Sequence, residues 1–136
     1  MLAVFRSTLY MLLQIIITPP YALITLACFS LSPHNRYRVT SSWTFIMLFL
    51  LRNLCGIRYH ILGAENIPQT PSIILSKHQS AWETLAFQKI FPPQVWVLKK
   101  ELLRIPFFGW GLAMTSPIAI DRKSGKKALE QIVEQG

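Results

Sequence analysis

Residues 7–32 contain no charged side chain, and that feature restricts the possible architectures more than any other. The run from Leu9 to Phe29 is almost wholly apolar, and one membrane crossing takes roughly 20 such residues. Pro19 and Pro20 interrupt it, and a proline inside a helix removes an N–H and crowds the preceding turn. The pattern predicts either one kinked transmembrane helix or two shorter helices that dip into one leaflet. A secretory leader would have an apolar core of about 7–15 residues and then a small-residue cleavage site. This run is longer, is broken by prolines and lacks an A-x-A ending, which argues against cleavage.

Composition points the same way. Charged residues are 15% of the chain, against roughly 25% in an average soluble domain. Lys and Arg number 14 and Asp and Glu 6, a formal net charge of +8. No acidic residue precedes Glu65, whereas Arg6, Arg36, Arg38, Arg52 and Arg58 all do. A basic, aromatic-containing apolar segment suits the anionic headgroups of a cytoplasmic leaflet. Nucleic acid, the other common partner of basic chains, is not expected, because no basic run stands apart from the apolar segments. Cys28 and Cys55 lie in apolar surroundings without C-x-x-C spacing, so neither a disulfide framework nor a zinc site is implied.

A second apolar run, Trp43 to Leu51, is too short to span and is followed by Arg52; it reads as an interfacial helix. One arginine precedes the first span and three follow it closely. The positive-inside bias therefore places everything after the span in the cytoplasm, on a cytoplasmic (inner) membrane.

Beyond Ile57 the pattern changes. Gly63-Ala64-Glu65-Asn66-Ile67-Pro68-Gln69-Thr70-Pro71 has loop chemistry. Ser72 to Ser76 then reads as a buried strand, Ser80 to Ile90 as a helix, and Val95 to Leu98 and Pro117 to Ile120 as further strands. Lys126 to Glu134 reads as a helix with Ala128, Leu129, Ile132 and Val133 on one face. Strand–helix alternation predicts an α/β fold. The expected organisation is membrane-anchoring helices over residues 1–60 and the first part of an α/β domain over 61–136. Three strands make an incomplete core, so a fragment is expected.

Ser76-Lys77-His78-Gln79-Ser80-Ala81-Trp82-Glu83 follows the first expected strand, and ligands meet α/β sheets at the carboxyl ends of strands. A histidine there suits general-base work, its unperturbed pKa being about 6.5. A carboxylate five residues on could fix its tautomer and steady the imidazolium, as in a Ser-His-Asp triad with a substrate hydroxyl replacing the serine. Ser80-Ala81-Trp82-Glu83 equally fits the S-x-x-E capping box that starts helices. Spacing alone leaves both readings open.

The segment resembles the H-x4-D motif of the glycerolipid acyltransferase superfamily, in the form found in the 1-acyl-glycerol-3-phosphate acyltransferase family. Lys99-Lys100-Glu101-Leu102, Pro106-Phe107-Phe108-Gly109-Trp110 and Ile120-Asp121-Arg122 resemble its next segments, in order. The resemblance covers about residues 63–136 and implies an acyltransferase domain anchored by the apolar start. It implies His78 as catalytic base, Glu83 as its partner and Arg122 on the acceptor phosphate. Lys100 and Arg104 are candidates for acceptor phosphate or lipid headgroups. Two departures stand out: Glu83 replaces the usual Asp, and an expected E-G-[ST]-R segment does not occur in these residues.

The remaining cations agree with an anionic ligand. Lys123, Lys126 and Lys127 cluster with Arg122 near the start of the last expected helix, where cations oppose the helix dipole unless an anion is near. The 106–110 segment reads as a turn and packing surface, with shaping of an acyl pocket as its alternative. The reaction implied is acyl transfer from acyl-CoA or acyl carrier protein to lysophosphatidate, with no cofactor and no metal. Alternatives are another lysolipid acceptor, a non-catalytic membrane-binding protein, and a lipid phosphatase. The phosphatase would need a cysteine nucleophile or metal ligands that the sequence does not offer.

Overall fold

The computed structural model describes residues 1–91, 93–121 and 125–135. The chain divides into two compact units, Met1–Gln14 with Ser41–Gln94, and Ile15–Thr40 with Val95–Gly136.

The first apolar run forms α1 (Leu2–Ala27), one helix that continues through Pro19 and Pro20. This settles the sequence ambiguity in favour of a single helix. The prolines deprive the carbonyls of Ile15 and Ile16 of their usual partners, a loss that apolar helices tolerate when other groups restore the bonding nearby. Among the described residues, one helix is long and apolar enough by length and composition to cross a membrane, Leu2–Ser30.

A 3-10 turn (Cys28–Ser30) leads to α2 (Pro33–Leu50). The apolar run at 43–51 is therefore the second half of a longer helix rather than a short one. Its start is built by Ser32, whose Oγ accepts from the Asn35 N–H at 3.4 Å, and by Pro33, whose fixed φ and missing N–H suit a first helical position. A π-turn (Leu51–Cys55) ends α2 at Gly56, which takes φ 72° and returns its N–H to the Leu51 carbonyl. That left-handed conformation favours glycine and is a common helix stop.

In the first unit Met47, Leu48 and Ala86 are buried, and the Cys55 Sγ lies 3.9 Å from the Arg6 carbonyl. Residues 71–79 belong to no helix or strand. Ile73 and Leu75 are 89% and 93% exposed, so Ser72–Ser76 is not the buried strand that its composition predicts. A strand exists only where a neighbour takes its backbone bonds, and the one ladder among the described residues lies elsewhere. The expected helix is α3 (Trp82–Ile90), closed by Phe87 and Phe91 ring edge to face at 5.3 Å.

The second unit holds β1 (Val97–Lys99) and β2 (Ile118–Ile120), paired in parallel with Leu98 opposite Ala119. Pro117 has no N–H to contribute, so pairing begins with the Ile118 N–H on the Trp96 carbonyl at 2.8 Å. Parallel neighbours need a crossover, supplied by a 3-10 turn (Lys100–Arg104) and α4 (Phe108–Ala113). Phe107 enters α4 at φ 60°, ψ −59°, with the Phe108 N–H on the Pro106 carbonyl at 2.7 Å. That is a positive-φ γ-turn, a strained conformation for a side-chain-bearing residue. The 106–110 segment is thus a turn with packing, Phe107 lying 5.0 Å from Trp110.

The other edge of β2 meets α5 (Lys126–Gln135). Gln135 accepts from the Ala119 N–H at 3.1 Å and donates to its carbonyl at 3.4 Å, while Gln131 accepts from the Asp121 N–H at 3.0 Å. Glutamines one helical turn apart therefore do what a third strand would do. Val133, expected on the packed face, is 82% exposed, because the glutamine face has turned toward the strand; the side chains of Ala128 and Leu129 lie outside the described residues. Nearby, Arg36 donates from Nε to the Met114 carbonyl at 2.8 Å and from Nη2 to the Ser116 Oγ at 3.0 Å, bracing a turn in which Ser116 has φ 53°.

The architecture is a mixture of helices and a small parallel sheet, with an apolar N-terminal helix. Gly109 shows how tight the crossover is. A Cβ there would sit 2.5 Å from the Leu103 carbonyl oxygen and 2.7 Å from that of Leu102, and backbone cannot swing aside as a side chain can. Gly109→Ala should therefore destabilise the protein by about 1–3 kcal/mol, measured by thermal unfolding in detergent; an unchanged midpoint would contradict this packing.

Candidate active site

The site is built on the loop that ends where α3 begins. A helix start exposes backbone N–H groups with no intrahelical partner, and residues 79–83 supply the acceptors. Ser80 Oγ accepts from the Trp82 N–H at 3.2 Å. Glu83, in the first turn of α3, folds its carboxylate back over the loop. Oε1 accepts from the N–H groups of Gln79 and Ser80 at 2.8 and 3.0 Å. Oε2 accepts from the Ser80 N–H at 2.9 Å and the Ser80 hydroxyl at 2.6 Å. The helix dipole favours an anion at the same place. On the other side Trp82 is held by Tyr59, ring edge to face at 5.1 Å.

His78 is the exposed residue immediately before this clamped turn. The Glu83 carboxylate is not laid against its imidazole; its bonds go to Gln79 and Ser80. The capping half of the S-x-x-E reading is thus what the carboxylate does, and it does so on the two residues that follow His78.

The Ser80 hydroxyl, then the Gln79 N–H and the other donors of the turn, hold the Glu83 carboxyl down from 4.5 to about 2. Such a group is fully charged at neutral pH and is a poor proton acceptor.

Lys100 and Arg104 are exposed at the two ends of the 3-10 turn after β1, in the second unit. With three residues per turn, they project about a third of a turn apart. Arg122 and Lys123 lie outside the described residues, as does the side chain of Lys126. Among the described residues no group of three or more His, Cys, Asp or Glu side chains is placed to hold a metal ion.

Two contributors were not singled out from sequence. Ser80 was visible as a cap but not as part of a site. Tyr59 is far from Trp82 in the chain, so no local pattern could have paired them. The first unit also has an open hollow of about 360 Å³ whose walls include Ile61, Leu62, Ile67, Ile73, Ile74 and Phe91. It is apolar, and it differs from the 106–110 segment named as a candidate acyl-pocket wall.

A family model described as acyltransferase matches residues 58–135, which include the clamped loop and both strands. The chain belongs to the acyltransferase family. Its relatives include the 1-acyl-sn-glycerol-3-phosphate acyltransferase of Pseudomonas aeruginosa, 53% identical over 74% of this chain and 40% of the relative. The proteins of the same name from Saccharomyces cerevisiae and Borreliella burgdorferi are 30% and 38% identical, over 61% and 55% of this chain and 28% and 31% of their own lengths. The chain thus spans well under two thirds of each of these relatives. No solved structure matches it.

In this acyltransferase domain the Glu83 clamp has a defined pH response. Its folded pKa lies below the ordinary value, so its stabilising contribution is complete above about pH 4.5 and is lost as pH falls toward about 2. The difference in unfolding temperature between the protein and Glu83→Gln should be full at neutral pH and shrink across that window. A difference that stays constant down to pH 2 would show that the carboxylate is not the clamp.

Proposed function

We propose that this acyltransferase domain transfers a fatty acyl group from a thioester, acyl-CoA or acyl carrier protein, to the free hydroxyl of lysophosphatidate, giving phosphatidate. The observation that carries this reading is an exposed histidine presented by a clamped turn within an acyltransferase-family segment. The naming of the relatives as 1-acyl-sn-glycerol-3-phosphate acyltransferases supports the choice of acceptor.

In the proposed mechanism His78 takes the proton from the acceptor hydroxyl as its oxygen attacks the thioester carbonyl. The tetrahedral intermediate expels the thiolate, which receives the proton back from the imidazolium. Glu83 contributes a fixed negative charge near the imidazolium and a rigid turn beneath it. The thioester is already activated and no water has to be ionised, so the chemistry needs neither metal nor cofactor. Arg122, with Lys100 and Arg104 as further candidates, supplies positive charge for the acceptor phosphate.

Membrane attachment completes the reading. At 1.5 Å per residue, the 26 residues of α1 reach about 39 Å, against roughly 30 Å of hydrocarbon. Its exposed side chains include Phe5, Ile15, Ile16, Leu23 and Ile24, which suit lipid rather than water. Residues 1–60 anchor the protein and residues 61–136 contribute to the catalytic domain on the cytoplasmic face, the side that the arginines after α1 favour.

The test is thiol release from acyl-CoA, and from acyl carrier protein in parallel, by membranes carrying the full reading frame, with and without lysophosphatidate. The expected result is acceptor-dependent release that falls about 10²–10⁴-fold in His78→Ala. Release indifferent to the substitution removes His78 from the mechanism, and no release with either donor favours a non-catalytic membrane-binding role.

A further inference from the structure

The clamp on the His78 loop is shared between two side chains, and only one of them belongs to the H-x4-E pair. The shortest of its bonds joins the Ser80 hydroxyl to Glu83 Oε2 at 2.6 Å. That hydroxyl uses its proton on the carboxylate and a lone pair on the Trp82 N–H at 3.2 Å. It therefore ties the acid to the backbone of the first helical turn. Without it, Glu83 would keep only N–H donors from a loop that no ladder and no helix holds. The loop residues 71–81 are exposed throughout, so packing does not supply the missing restraint.

We infer that Ser80 is a positioning residue for acyl transfer, its hydroxyl locking Glu83 onto the turn that presents His78. The inference rests on the proposed role of His78 as base and adds the means by which that base is held. Glu83 then acts on His78 through two backbone amides rather than through a carboxylate–imidazole bond. Ser80 touches neither substrate nor the reacting atoms, and its effect falls on the orientation of the imidazole at the moment of proton transfer. Small misplacements of a reacting group are costly, on the order of 10²-fold in rate for about 1 Å.

The alternative is that Ser80 merely starts α3, as many serines at helix starts do. Both roles would slow amide exchange at the turn, so stability alone does not separate them. The separating readout is the split between kcat and KM.

The experiment uses the full-length protein in membranes or detergent, comparing Ser80→Ala, Ser80→Thr, Glu83→Gln and the Ser80→Ala/Glu83→Gln pair, with His78→Ala as control. Ser80→Ala should lower kcat about tenfold or more with KM for both substrates unchanged. Ser80→Thr, which keeps the hydroxyl, should recover most of that loss. The double variant should be no slower than the slower single one, because the two side chains act as a unit. Hydrogen–deuterium exchange at Gln79 and Ser80 should accelerate in Ser80→Ala, while α5 keeps its protection and so reports an intact fold.

Faster exchange with unchanged kcat overturns the positioning role and leaves a helix cap. Unchanged exchange overturns the clamp itself, as does additive loss in the double variant. Activity indifferent to His78→Ala refutes the proposed function by its own control; the catalytic half of the inference falls with it, and exchange still decides whether Ser80 holds the turn.

Discussion

Backbone amides and carbonyls that leave regular structure must find partners elsewhere, and much of this structure follows from how few regular partners the chain provides. The ladder has three residues on each strand, and the segment before α3 has none. Side chains meet the need instead. Glu83 and Ser80 take the amides of the turn at 79–82, Gln131 and Gln135 take the free edge of β2, and Arg36 takes the Met114 carbonyl beside a residue of positive φ. Glu83, Gln131, Gln135 and Arg36 are polar side chains long enough to reach backbone or turn groups outside their own helix turn or loop.

The same constraint bears on the chemistry. An acid placed to stabilise an imidazolium usually does so by direct contact. Here the acid is engaged by backbone donors and a hydroxyl, which hold its carboxyl below the ordinary carboxylate range. An Asp side chain is one methylene shorter than Glu. The longer arm of Glu83 lets it curl back onto residues 79 and 80 from the first turn of the helix.

Much of this was legible in local pattern. The long apolar helix followed from the absence of charge between residues 7 and 32. α3, both strands and α5 lay where periodicity and turn residues put them, within a few residues. The failures share a cause. Ser72–Ser76 has the composition of a strand but no neighbour to make it one, and α2 begins ten residues before its apolar half because Ser32 and Pro33, not hydrophobicity, start it. Two glutamines of α5 that composition would assign to solvent bond the strand segment at Ala119 and Asp121.

The sequence by itself determined which segments are apolar, where α3 and α5 lie, and that Glu83 follows His78 by five residues, because these depend on residues a few positions apart. Only the tertiary structure decided where the Glu83 carboxylate goes among several available donors, that Tyr59 braces Trp82, and that glutamine amides stand in for a third strand. Those outcomes depend on which groups meet across long stretches of chain. A carboxylate or an amide binds whichever unsatisfied partner the fold brings within about 3 Å, and no local pattern carries that distance.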